Sequence, residues 1–194
     1  MAALPGLARR KVEPQSSFFR LTEGRLVYRG RPEGHLSEPD LVRELKRFKE
    51  AFAGEEAAVR KVHSIIASGA DLRDMGMVLI TQLMCTHPRL THVDVSSNRV
   101  DVEGARVLAF RGLQGCPSIK ALLLNDNMLG CDGVLPIAEV VSTHASLTLL
   151  DLSENVVAGG GVRALSRALE TNTSLRCLKF NDNSVCSSAP PRLE

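Results

Sequence analysis

Apolar residues along the middle of this chain fall into a short block that recurs. LTHVDVSSNRV from Leu90, IKALLLNDNML from Ile119 and LTLLDLSENVV from Leu147 are near copies, and LRCLKFNDNSV from Leu175 opens a fourth. Asn98, Asn127, Asn155 and Asn183 mark the copies at spacings of 29, 28 and 28 residues. A fixed period of this length points to stacked coils of a solenoid.

Within a copy the apolar places are constant. They are Leu90, Val93, Val95 and Val100 in the first, Ile119, Leu122, Leu124 and Leu129 in the second, and Leu147, Leu150, Leu152 and Val157 in the third. The alternation predicts a short strand with one buried face. A glycine then leads a stretch whose apolar residues recur every fourth place: Gly104 and Leu108; Gly133, Ile137 and Val141; Gly161, Leu165 and Leu169. That spacing predicts a helix. One such pair cannot enclose a core, but stacked pairs cover each other's apolar flanks.

The asparagine follows the strand, where the chain turns with backbone groups pointing inward. Its amide both donates and accepts, so stacked copies can satisfy those groups. We therefore expect a structural ladder of Asn98, Asn127, Asn155 and Asn183.

The pattern L-x-x-L-x-L-x-x-N-x-L with its Gly-led helix resembles the leucine-rich repeat. The repeat length and the phrase ALETNTSL before Arg176 resemble the ribonuclease-inhibitor-like subclass. That resemblance covers residues 90–185. It implies an α/β solenoid, a short right-handed arc with parallel strands on the concave side and helices on the convex side. About function it says little.

A degenerate copy precedes the clear ones. Val62, Ile65, Ala67, Leu72, Gly76 and Ile80 fall in register, with Ala70 in the asparagine place. The solenoid is thus expected over 62–186, about four and a half units. Ser37 to Asp40 reads as a capping box. The helix after it puts Leu41, Leu45, Phe48 and Phe52 on one face, and a second short helix is expected at 55–61. Residues 38–61 then form a helical N-terminal cap. Residues 1–37 are a basic extension, expected to be disordered over the first dozen residues. Phe18–Leu21 and Arg25–Tyr28 could form a hairpin there. The tail 187–194 follows, and Pro190 and Pro191 exclude the usual helix. The last strand would lack its backing, which leaves an open edge for a partner. A truncated isoform is the simpler explanation.

Composition narrows the function classes. Net charge is only +2, so nothing drives the whole chain towards nucleic acid or an anionic membrane. No apolar run reaches the length of a membrane span. Five cysteines, Cys85, Cys116, Cys131, Cys177 and Cys186, form no C-x-x-C and no Cys-rich cap. A reducing, cytoplasmic setting fits them best.

Candidate chemistry is sparse. Gly159 to Gly161 precedes a helix, as a phosphate loop would. Gly161 recurs as Gly76, Gly104 and Gly133, however, so it belongs to the strand-to-helix turn. His87, Cys116 and His144 share one place per copy, with Asn172 in the next. A zinc site is conceivable there, but the place ends a helix, where polar side chains satisfy the last carbonyls. No metal, cofactor or catalytic residue is expected.

The concave face carries the functional expectation. Its columns are Ser64, His92, Ala121, Leu149 and Cys177, then Ile66, Asp94, Leu123, Asp151 and Lys179. Further along come Ser68, Ser96, Asn125, Ser153 and Asn181, then Gly69, Ser97, Asp126, Glu154 and Asp182. Asp94, Asp126, Asp151, Glu154 and Asp182 make it acidic around Leu123 and Leu149, an arrangement typical of interfaces. A peptide, a helix or a small basic patch of a protein would fit, and the chain's own basic N-terminal segment is one candidate. We expect a non-enzymatic interaction module, an adaptor or structural subunit. By analogy with similar repeat proteins, a cytoskeletal, ciliary or flagellar assembly is one setting. Regulation of a small GTPase, as by Ran GTPase-activating protein, and innate sensing are the alternatives the resemblance allows.

Overall fold

The computed structural model describes residues 18–30, 36–54 and 56–183. One seven-stranded sheet runs through it in chain order. A hairpin of β1 (Phe19–Thr22) and β2 (Arg25–Tyr28) comes first, followed by α1 (Glu38–Ala51) and the single turn α2 (Glu56–Val59). Coils follow: β3 (Ser64–Ile66) with α3 (Arg73–Thr86), and β4 (His92–Asp94) with α4 (Val102–Val107). A π-helical segment, Leu108–Leu113, continues α4. Then come β5 (Ala121–Leu123) with α5 (Gly130–Thr143), β6 (Leu149–Asp151) with α6 (Gly159–Thr171), and β7 (Cys177–Lys179).

From β2 to β7 every pairing is parallel, and the register aligns the expected columns. Ser64, His92, Ala121, Leu149 and Cys177 lie side by side, as do Ile66, Asp94, Leu123, Asp151 and Lys179. The repeated apolar residues form the core. Ile65, Leu122, Leu124, Ile137, Leu150 and Leu152 are fully buried between sheet and helices. Leu169 departs from its expected inward place and stays exposed on α6, the last helix among the described residues.

The asparagine ladder forms as a side-chain relay between coils. Asn127 Oδ1 accepts the N–H groups of Asn98 and Val100 at 3.0 and 2.9 Å. Its Nδ2 donates to Val95 and Leu124 carbonyls at 3.1 and 2.9 Å. Asn98 does the same for the degenerate coil, accepting from Ala70 and Leu72 N–H and donating to the Ala67 carbonyl. Asn183 reaches back to Asn155 and Val157. Each coil is therefore satisfied by its successor. At Ala70, in the asparagine place of the degenerate coil, the chain before it approaches closely at Gly30. That glycine has φ +73, and a Cβ there would lie 2.4 Å from the Ala70 carbonyl oxygen.

At the N-terminal end the expected hairpin forms and joins the sheet. Residues 18–30 do not stand apart as an extension. The hairpin adds two strands to the sheet, β2 pairing in parallel with β3. Phe19 stacks near Tyr28 and edge-on to Phe48 of α1, so hairpin and helix together cover the first coil. The capping box is present, with Ser37 N–H donating to Asp40 Oδ2 at 3.2 Å. Expectations for residues 1–17 and 184–194 lie outside the described residues.

The 29-residue coil has a local cause. Asn98 to Asn127 contains the π-helical segment, which absorbs one extra residue as a wide turn. Leu108, Ala109 and Leu113 all remain buried, so the core phase survives the insertion.

Candidate functional site

Among the described residues, no helix covers the concave sheet surface. Its centre is apolar: Leu123 and Leu149, on adjacent strands, are half-buried. Of the acids expected around them, Asp126, Glu154 and Asp182 are exposed. The other two are committed internally. Asp151 is buried, its Oδ1 accepting the Ser153 N–H at 3.1 Å and its Oδ2 lying 3.5 Å from Lys179 Nζ. Asp94 Oδ1 accepts from the Ser96 N–H and Oγ at 3.0 and 2.7 Å. Each carboxylate closes the turn that follows its strand through its Oδ1.

The exposed acids occupy a strained backbone position. Gly69, Ser97, Asp126, Glu154 and Asp182 all have φ between +54 and +64. Aspartate tolerates that left-handed region better than most residues, which gives Asp126 and Asp182 a backbone reason. Glu154 has no such reason, and its charge is surplus to the turn.

Opposite this acidic rim lies a group that the sequence reading did not assemble. Arg25, His63, His92 and Lys120 are exposed at the strands' leading ends. Burial, with the nearby positive groups His63 and Lys120, holds the His92 imidazole below its ordinary value. The face is thus bipolar, basic at its first coils and acidic along its far rim. The missing signal was β2, whose Arg25 enters the sheet beside Ser64 from outside the repeat period.

The helix-end column is structural. His144 Nδ1 accepts the Leu147 N–H at 3.1 Å, and Asn172 Oδ1 accepts the Leu175 N–H at 2.7 Å. His87 Nδ1 instead meets the Leu83 carbonyl at 2.5 Å, which requires the proton on that nitrogen. Burial lowers both histidines and pushes the Cys116 thiol up to about 11, with Cys85 adding to the latter. A zinc ligand needs a thiolate, and this environment disfavours one. Among the described residues no His, Cys, Asp and Glu cluster is arranged to hold a metal.

The glycine column serves close packing. A Cβ at Gly161 would sit 2.4 Å from Val157 Cγ1, and at Gly76 2.5 Å from Leu72 Cβ. Between the first two coils, Asp101 caps α4 by accepting the Glu103 and Gly104 N–H groups at 2.9 and 3.4 Å. Burial and the neighbouring Asp101 raise Asp74 to about 6, and the shared hydrogen bond lowers Asp101.

Comparisons agree with this architecture. The sequence model of the Leucine Rich repeat family matches residues 86–109 and 143–166. Leucine-rich repeats are thus present at those two segments, within an α/β solenoid fold. Among solved structures it is similar to one titled Leiomodin-1 Actin-Binding Site 2 (ABS2), with a TM-score of 0.58 and 19% identity over 66% of this chain and 78% of that one. At that identity the likeness concerns the fold. No curated protein matches the chain. No helix of the described residues is long and apolar enough to cross a membrane.

Proposed function

We propose that this chain is a non-enzymatic docking module that binds a protein partner on its concave face, as an adaptor or structural subunit. The observation that carries the reading is the uncovered sheet with Leu123 and Leu149 at its centre and Asp126, Glu154 and Asp182 along one rim. The six parallel strands β2 to β7 span only about 24 Å, which suits a helix or extended segment of the partner. The packed coils hold these side chains in place, so docking orders little. Cys85, Cys116, Cys131 and Cys177 are free thiols, which fits a reducing, intracellular assembly. The 28- and 29-residue repeat length supports the ribonuclease-inhibitor-like subclass.

The test pairs affinity purification with hydrogen exchange. A recovered partner, added back to the purified chain, should slow exchange at β5 and β6, and Leu123→Arg should abolish its binding. Protection confined to the convex helices, with Leu123→Arg binding normally, would overturn the reading.

A further inference from the structure

Four basic side chains from four different segments meet at the hairpin end of the concave face. Arg25 lies in β2, His63 in the loop before β3, His92 in β4, and Lys120 just before β5. Backbone bonds fix their spacing. His63 N–H donates to the Gly24 carbonyl at 2.9 Å, and the His63 carbonyl accepts from Thr91 and His92 N–H at 2.9 and 3.1 Å. One coil on, Lys120 N–H donates to the Thr91 carbonyl at 2.7 Å. The His63 ring packs directly on Gly24, where a Cβ would fall 2.5 Å from Nδ1. The cluster is therefore built into the sheet and its cap.

A cavity of about 300 Å³ opens among three of them, with Lys120 outside its lining. Arg25, His63 and His92 line its polar side, and Ile66, Ala121 and Leu123 its apolar side. Asp94 also lines it, but its Oδ1 is taken up by Ser96. Among the described residues, none of the four basic side chains forms an ion pair with a carboxylate. The basic groups here outnumber the one nearby acid, Asp94, and they sit beside half-buried Ile66 and Leu123.

We infer that this pocket receives a carboxylate side chain from an acidic peptide segment of a protein partner, with an adjoining apolar side chain resting on Ile66 and Leu123. The inference rests on the concave-face reading and specifies the chemistry at one end of that face. A polypeptide fits better than a nucleic acid. A polyanion crossing the sheet would run into Asp126, Glu154 and Asp182, whereas a peptide can place charge at one point only. An arriving carboxylate favours the protonated imidazoles. Binding therefore takes up protons and tightens as pH falls. The groups facing His92 in this balance are Arg25, His63 and Lys120 as positive groups and Asp94 as the acid.

The experiment uses the full chain with its histidine imidazole resonances followed by NMR. The probes are a peptide of alternating Leu and Glu, its Leu–Lys counterpart, and an oligouridylate. The Leu–Glu peptide is expected to shift the His63 and His92 resonances selectively and raise the titration midpoint of His92. Its affinity should be greater at pH 6 than at pH 8, and should fall about tenfold or more in Arg25→Glu/His92→Glu. Asp126→Asn/Glu154→Gln should leave it unchanged. Resonances that do not move, pH-independent binding, or equal binding of the Leu–Lys peptide would overturn the inference. Oligouridylate producing the same shifts with higher affinity would overturn the peptide assignment. The two readings separate cleanly. A partner that protects β5 and β6 yet binds Arg25→Glu/His92→Glu normally would overturn the pocket while leaving the concave face standing. Selective histidine shifts from the Leu–Glu peptide would support the pocket even if that partner docks elsewhere.

Discussion

Asn127 carries more of this fold than its size suggests. Its amide joins two coils through the Asn98 and Val100 N–H groups and the Val95 and Leu124 carbonyls. Removing it leaves those buried groups unpaired, at about 1–3 kcal/mol each and less than additive in sum. Asn127→Ala should therefore lose about 3 kcal/mol or more in urea unfolding. Asn183→Ala, at a half-exposed position, should lose clearly less. Asp74 makes the opposite kind of prediction. Its carboxyl titrates near 6 in the folded protein, above its ordinary value of 3.8. Proton binding thus stabilises the fold fully below about pH 4, and the benefit disappears as pH rises through 6. Asp74→Asn should relieve the burial of charge and the repulsion from Asp101. Above pH 6 its melting temperature should exceed that of the natural chain, by about 1 kcal/mol in stability after allowing for solvent screening. Near pH 4 the difference should vanish.

Helices in this chain differ in how they meet the same periodic core. α5 is α-helical throughout, although Pro136 within it lacks an N–H to donate, and it buries Ile137, Ala138, Val140 and Val141. The π-helical segment after α4 holds one more residue and still buries Leu108, Ala109, Gly112 and Leu113. Deleting the exposed Arg111 should let that segment relax to an α-helix in a 28-residue coil, at a cost of about 1–2 kcal/mol. Deleting the exposed Glu139 from α5 should rotate Val140 and Val141 out of the core. We expect that variant to be insoluble or to melt far lower, which paired thermal unfolding curves would show. The cap obeys a related logic. α1 alone offers one apolar stripe, and it becomes a cover only because Phe48 meets Phe19 of the hairpin and the ring of His87.

The near-zero net charge hides a separation of charge over the molecule. Basic groups gather at the hairpin end and acidic groups along the far rim, so the concave face should steer a partner of complementary polarity. Such steering is screened over about 8–10 Å at physiological salt. Association of the recovered partner should slow about tenfold or more between 0.05 and 0.5 M salt while dissociation changes little. Stopped-flow mixing would show it, and a salt-independent association rate would contradict the bipolar picture.

Much of this architecture was legible in the repeat itself. Leucines at fixed places, an asparagine at each turn and a glycine at each helix start imply one coil geometry, because no single coil can bury its own flank or satisfy its own turn. The strand columns followed from the period alone, and the structure aligns them as read. The state of the side chains within those columns was decided elsewhere. Asp151 is buried because Lys179, 28 residues on, stacks beside it and Ser153 turns under it. Arg25 joins His63 and His92 because a hairpin without the repeat's pattern pairs with β3. A period fixes where backbones lie. Which charges then neutralise each other, and which remain exposed for a partner, depends on contacts between segments far apart in sequence, and only the assembled sheet brings those together.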